Sequence, residues 1–259
     1  MNIIFLGAGN LGTNLAHALF HQGHRIVQVY SRTMESAKVL AEQTGAIPIN
    51  NFRQLDQDAD IYILALKDDV LREIIPGLPD IAGIFVHTAG SVSVDIFEGN
   101  VKNYGVFYPL QTFNKNRLVH FSEIPVFIEA NSDYSKTQIE QLATSISSDV
   151  HQANSEDRLA IHVAAVFACN FTNFMFVGAD EILRKYDLSF QSLHPLINET
   201  IRKIETRPPY EAQTGPAVRG DNETLKTHLN MLSDAGMWQK LYRFVSDMMI
   251  EYYRPDEHE

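Results

Sequence analysis

The sequence predicts an α/β domain over residues 1–153, built on a doubly wound and mainly parallel sheet, followed by an all-helical domain over residues 154–259. Three observations carry this. The chain opens on a strand, a glycine-rich turn, a helix and a second strand within about thirty residues. As far as residue 153, near-continuous apolar runs alternate with stretches of helical period, the pattern of a parallel sheet covered on both faces. From Ser155 onward only helical periodicity remains.

The opening stretch is the most specific. Ile3 to Leu6 is an apolar run that meets Gly7, Gly9 and Gly12 at G-x-G-x-x-G spacing. Leu11, Leu15, Ala18 and Leu19 then recur at helical period, Gly23 closes the helix, and Ile26 to Tyr30 forms the second run. This is the Rossmann-type unit that holds a dinucleotide pyrophosphate. Gly7 permits the turn, Gly9 lets the amides around Asn10 and Leu11 approach the phosphates, and Gly12 lets the helix lie close on the strand. The helix N-terminus then offers N–H groups and a positive dipole end to the anion. The same turn could also exist without a ligand.

The second strand ends in Ser31, Arg32 and Thr33. A carboxylate here would bind the ribose hydroxyls of NAD and repel the extra phosphate of NADP. A guanidinium between two hydroxyls has the opposite preference, so the expected cofactor is NADP(H). The alternative is that Arg32 is simply a surface charge.

Residues 34–44 have helical period, and Ala46 to Ile49 is a short strand. Asp60 to Leu66 is a buried strand entering a loop at Lys67 and Asp68, with a helix from Val70 to Ile75. Ile84 to Val86 is the next strand, leading into His87-Thr88-Ala89-Gly90-Ser91. Ligands of parallel sheets lie at the carboxyl ends of strands. That rule adds Leu66, Lys67, Asp68 and His87 to the cofactor candidates, although Asp68 and His87 could be plain loop residues. Val106 to Gln111 is a strand broken at Pro109, Ile124 to Glu129 another, Tyr134 to Ile146 a helix and Val150 to Ala153 the last strand. Ser155-Glu156-Asp157 then reads as an N-cap and an acidic first turn of a helix about twenty-five residues long. Helical segments follow near 189–206, 221–234 and 238–253, with Arg207-Pro208-Pro209-Tyr210 as a break.

Bulk properties narrow the class. The 259 residues are 45% hydrophobic and 20% charged, an ordinary globular composition. The formal charge of −11 disfavours nucleic acid and anionic lipid as partners. One cysteine leaves no internal disulfide and suits a cytoplasmic location, and a first strand beginning at residue 2 leaves no expected leader. Ala160 to Ala179, the most apolar segment, carries His162, Asn170, Thr172 and Asn173. It is expected to be a buried core helix and not a membrane span. No metal site is expected.

GAGNLG at the start, SRT after the second strand and the helical second half resemble the superfamily of pyrroline-5-carboxylate reductase, prephenate dehydrogenase and the β-hydroxyacid dehydrogenases. HTAGS (87–91), YPLQTF (108–113), HVAAVFACNF (162–171) and GPAVRGD (215–221) resemble more closely a bacterial family of two-domain NADP oxidoreductases whose second domain has no assigned function. The resemblance covers nearly the whole chain and implies NADP binding, with no substrate. Two departures matter. Prephenate dehydrogenases have a histidine before the proline where this chain has Tyr108. The β-hydroxyacid dehydrogenases use a lysine on the first long helix of the second domain, and residues 155–183 contain none.

Hydride transfer to or from a C=O or C=N carbon needs a proton donor or acceptor at the heteroatom. His162, Cys169 and Asn173 are spaced by seven and four, within about 40° of one another on an ideal helix, with Asn170 beside them. His162 is the first candidate for proton relay, with Tyr108 or His87 as replacements. Asn170 and Asn173 could orient a substrate oxygen or the nicotinamide amide, or be satisfied within the protein. Nothing adjacent marks Cys169 as an activated nucleophile. Arg219, and with it Gln111, could bind a substrate carboxylate, or Arg219 could pair with an acidic neighbour. Phe167, Phe171, Phe174, Met175 and Phe176 spread around the long helix, so it should be buried on most sides, which implies a homodimer packed through the second domains. The expected function is hydride transfer between NADPH and a small carbonyl or imine, carboxylate-bearing substrate. The alternative is a non-catalytic NADPH-binding dimeric module serving as a redox sensor or partner-binding protein.

Overall fold

The computed structural model describes residues 1–254. They form two compact units, Met1–Ala168 and a second beginning at Cys169. The first holds an eight-stranded sheet in the order β3-β2-β1-β4-β5-β6-β7-β8. Its strands are β1 (Asn2–Leu6), β2 (Arg25–Tyr30), β3 (Ile47–Ile49), β4 (Ile61–Leu64), β5 (Ile84–His87), β6 (Tyr104–Pro109), β7 (Val126–Ala130) and β8 (Val150–Gln152). All neighbours pair in parallel except β6 and β7. The mainly parallel sheet expected from the apolar runs is therefore present.

The reason for those runs is visible in the packing. Along β1, Ile3 and Phe5 face one hydrophobic cluster while Ile4 and Leu6 face the other, and all four are fully buried. A strand covered on both faces has no polar side to alternate with. The first cluster packs against helices α1 (Asn10–His21) and α2 (Met34–Thr44), the second against α3 (Asp68–Ile74), and α4 (Asp133–Thr144) returns to the first. Chain order turns at β1. The connection through α1 leads to β2 on one side, and the return from β3 lands on β4 at the other. That reversal leaves a crevice above the carboxyl ends of β1 and β4.

Beyond β8 the chain is helical: α5 (Ser155–Ala165) closes the first unit, a π-helical stretch over Val166–Phe171 follows, and α6 (Thr172–Arg184) belongs to the second. α7 (His194–Thr206), α8 (Pro209–Ala212), α9 (Asn222–Met231) and α10 (Gly236–Tyr252) complete the second unit. The break at Pro208 and Pro209 and the Asp221 cap on α9, whose carboxylate accepts from Thr224 N, are as expected.

Three expectations need correction. The cap of α5 is Asn154, which accepts from Asp157 N; Ser155 lies inside the helix and its hydroxyl is used elsewhere. The π stretch closes i→i+5 turns, so the 3.6-residue period that put His162, Cys169 and Asn173 on one stripe does not hold through it. The third concerns burial. Ser155–Arg184 spans 30 residues with mean hydropathy 1.6 over its most apolar window, none of which is buried within the chain. By length and composition alone this helix could cross a membrane.

Two glycines of the first turn differ in what they protect. A Cβ on Gly12 would lie 2.4 Å from the Gly7 carbonyl oxygen, whereas one on Gly9 meets nothing within 4 Å. Gly12→Ala should therefore lower stability by about 1–3 kcal/mol, the range for an overpacked contact. Gly9→Ala, which meets no clash and makes only a poorer N-cap, should unfold closer to the wild-type temperature than Gly12→Ala, measured by circular dichroism.

Candidate functional site

The turn after β1 is shaped by steric necessity. Gly7 has φ +118, and a Cβ there would lie 2.3 Å from the Ala65 carbonyl. With Gly12 against Gly7, the start of α1 is drawn onto the sheet edge. Gly9 is the N-cap, with no side-chain cap and no acidic residue in the first turn. The first intrahelical bond runs from Thr13 N to the Gly9 carbonyl, so the amides of Asn10, Leu11 and Gly12 precede it. A helix start that lacks its own side-chain acceptor and has open space at Gly9 fits an anion delivered by a ligand.

Beside it lies a pocket of about 700 Å³. Gly7 and Gly9, Ser31, Arg32 and Thr33, and Leu66 and Lys67 line it, as expected from the sequence. Asn10 and Gly12 stand behind the turn: Asn10 begins α1 with its Oδ1 accepting from Lys115 N, and Gly12 is buried in packing. Leu11 is partly buried against the first cluster. Asp68 turns to Ser91, whose hydroxyl it accepts. Tyr30 and Phe52, which nothing in the sequence singled out, also line the pocket with Val70 and Ile74 and stack at 4.1 Å between ring centroids. This flat apolar surface is suited to an adenine ring. The residues present therefore fit a 2′-phosphorylated dinucleotide. Lys67 and Arg32 are the cations on its rim.

His87 is placed elsewhere. It is fully buried, stacks on Phe97 at 5.6 Å and accepts from Ala89 N through Nδ1, while Nε2 has no hydrogen-bond partner among the described residues. It does not line the dinucleotide pocket. Burial, and behind it the Arg158 charge, push its pKa down to about 3. A histidine so held is neutral at ordinary pH and has no access to exchange protons. Its place as a substitute relay is thus withdrawn.

Farther along the same edge, at the end of β6, Tyr108 Oη and His162 Nδ1 are 3.0 Å apart. Tyr108 is 8% exposed and His162 is half-buried. A Cβ on Gly90 would fall 2.8 Å from both the His162 ring and the Tyr108 ring, so only glycine allows the pair to close over this loop. Burial raises the Tyr108 pKa, with the Arg158 charge opposing, so the phenol stays protonated at neutral pH.

Arg158, which the sequence reading did not single out, holds α5 in place. It is the largest fully buried side chain. One guanidinium nitrogen donates to Glu129 at the end of β7, the other to the Val92 carbonyl at 2.6 Å and to Ser155 Oγ at 3.2 Å. Ser155 in turn donates to Glu129 at 2.8 Å and accepts from Val94 N at 3.0 Å. The only hint in the sequence is a glutamate ending an apolar strand and an arginine entering an apolar helix.

The remaining candidates are on the surface. Gln111 is exposed and its Oε1 accepts from Thr112 N at 2.8 Å. In the second unit, Asn170 in the π-helical stretch and Asn173 on α6 are exposed, and Arg219 is exposed in the loop before α9. Cys169 is a free, exposed thiol.

Comparisons with known proteins bear on this site. Residues 2–87 match the family model described as NADP oxidoreductase coenzyme F420-dependent, and residues 124–249 match a domain of unknown function. A solved structure of a candidate NADP oxidoreductase from Bacteroides fragilis is 46% identical, covers 96% of this chain and 98% of its own, and superposes with a TM-score of 0.91. An imine reductase from Myxococcus stipitatus, solved in complex with NADP+, has the same fold at 17% identity, with 98% and 93% covered and a TM-score of 0.65. The glutamyl-tRNA reductase of Caldivirga maquilingensis is 30% identical over 115 residues, 39% of this chain. The chain spans only 28% of that curated relative's length.

The buried His87 gives a pH dependence of stability. Its folded pKa lies near 3, below the usual 6.5, so as pH falls through 6.5 the unfolded chain takes a proton that the folded chain refuses. Stability from this group is complete above pH 6.5 and lost on acidification, by up to about 1.4 kcal/mol per pH unit. Denaturant titrations from pH 7 to 4.5 should show a shallower acid limb for His87→Gln than for the wild type.

Proposed function

From the premise that this chain belongs to the two-domain NADP oxidoreductase family, we propose that it reduces a small carbonyl or imine compound that carries a carboxylate. NADPH, when bound, supplies the hydride. The chain must supply the proton, and the Tyr108–His162 hydrogen bond of 3.0 Å is the observation that carries the assignment. Tyr108 is protonated at neutral pH and stands at the carboxyl edge of the sheet, so its hydroxyl can donate to a substrate oxygen or nitrogen. His162, half-buried, can return the proton to Tyr108.

In this reading residues 1–153 bind the cofactor, and residues 154–259 serve substrate binding and dimerisation. Gln111 and Arg219 are assigned to the substrate carboxylate because amide and guanidinium groups suit planar anions. Asn170 and Asn173 are assigned to orienting the substrate oxygen or the nicotinamide amide. The imine reductase likeness supports the substrate class by analogy of fold only.

A homodimer is part of the same proposal. Within the second unit, Met175 on α6 and Phe244 and Met248 on α10 are each more than 40% exposed, large apolar side chains that a partner would cover. A second copy is the partner we assign to them, in keeping with an acidic, cytoplasmic protein with one cysteine. Light scattering at micromolar concentration, without detergent, should give a dimer. A monomer, or a protein extracted only with detergent, would count against the assignment.

The catalytic reading is tested by NADPH oxidation screened against imines, keto acids and cyclic ketones. With the substrate so found, Tyr108→Phe should lower kcat by about 100-fold or more, the usual worth of a general acid. His162→Ala should abolish turnover, and both variants should keep NADPH affinity within a few-fold of wild type. An NADPH-binding protein inert to every class would favour a sensor.

A further inference from the structure

The loop between β6 and β7 is tied to the first helix at its tip. Asn14, 2% exposed, donates from Nδ2 to the Asn114 carbonyl at 3.1 Å and accepts from Val119 N at 3.0 Å. Asn10 Oδ1 accepts from Lys115 N at 3.2 Å. Within the tip, Arg117 N donates to the Asn114 carbonyl at 3.0 Å and Asn116 N to Asn114 Oδ1 at 2.9 Å. Residues a hundred positions from the glycine turn are thus held across the start of α1 through backbone groups. The side chain of Lys115 takes no part in the tether.

Lys115 instead lines a cavity of about 320 Å³ with Ala8, Thr13, Glu35, Ser36 and Gln43. Ala8 and Ser36 also line the dinucleotide pocket, so the two spaces share a wall at the start of α2. On the pocket side of that wall stand Ser31, Arg32 and Thr33. Lys115 makes no ion pair among the described residues, although the Glu35 carboxylate lines the same cavity. In a chain of net charge −11, a lysine fixed by its backbone beside a phosphate-binding turn is placed to meet an anion.

We propose that Lys115 is a second cationic ligand of the cofactor's 2′-phosphate, reaching it across the Ala8–Ser36 wall from the side opposite Arg32. The amides at the head of α1 already serve the pyrophosphate, whereas the 2′-phosphate, a dianion near neutral pH, has so far one guanidinium. The preference for NADPH over NADH is then set by two segments far apart in sequence. This rests on the NADP reading of the pocket.

The test is direct binding, with no turnover required. Dissociation constants for NADPH, NADH and adenosine 2′,5′-bisphosphate are measured by calorimetry for the wild type, Lys115→Met and Lys115→Arg. Lys115→Met should weaken NADPH and the bisphosphate about fivefold, the upper range for an exposed charge pair, and NADH less than about twofold. Lys115→Arg should restore most of the loss, and added salt should narrow the gap between wild type and Lys115→Met. Equal weakening of NADPH and NADH would place the lysine on the pyrophosphate and overturn the proposal, as would no weakening at all. A wild type that does not discriminate NADPH from NADH would overturn the NADP reading beneath it, a distinguishable result.

Discussion

The contact between Gly12 and the Gly7 carbonyl governs the site. With Gly7 itself pressed on Ala65, no side chain fits between the first helix and the ends of β1 and β4. The helix start is therefore brought to the topological reversal of the sheet with its amides facing outward and its cap position empty. A protein that placed Ser or Asp at Gly9 would satisfy one of those amides internally and gain about a few tenths of a kcal/mol of helix stability over glycine. Here that stabilisation is left to a ligand. The overall charge of −11 makes the arrangement more pointed, because the local field must come from oriented amides and a few placed cations.

Arg158 is the second fixed point. Burying a guanidinium is unfavourable unless its donors are met, and here a carboxylate, a carbonyl and a hydroxyl meet all but Nε. What this achieves is registry. The start of α5 is tied at once to the end of β7 and to the loop after β5, and His162, one turn farther on, is brought against Tyr108. The same charge reaches two other groups in opposite senses of usefulness. It helps to keep His87 neutral, and it offsets part of what burial does to the Tyr108 phenol.

The sheet was legible in the sequence because a strand buried on both faces leaves a continuous apolar run, and the glycine turn because its steric demands admit one residue type. The pocket residues that follow strand ends, Ser31 to Thr33 and Leu66 to Lys67, came from the same rule. What stayed hidden depends on pairings distant in sequence. Tyr30 with Phe52, Asn14 with Asn114, Arg158 with Glu129 and His162 with Tyr108 are each ordinary residues until the fold joins them. His87 misled for the reason that its position was right and its direction was not. It ends β5 at the ligand edge, yet its ring turns inward to Phe97. The helical stripe failed differently, since a period assumed constant at 3.6 is broken by the π stretch at Val166–Phe171.

The departure from the histidine-before-proline pattern has a physical meaning under the proposed chemistry. A lone histidine at that strand end would titrate near 6.5 and would serve equally as acid or base around neutrality. Tyr108, with its pKa raised by burial, is an acid across that whole range and a base nowhere in it. Such a group favours proton delivery to a substrate that is being reduced. Its weakness is that a phenol with a high pKa gives up its proton reluctantly, and the anion left behind must be stabilised. The neighbouring imidazole at 3.0 Å and the buried positive charge of Arg158 are what this site offers for that purpose. Gly90, which leaves the space in which the two rings meet, is then as necessary to the reaction as the rings themselves.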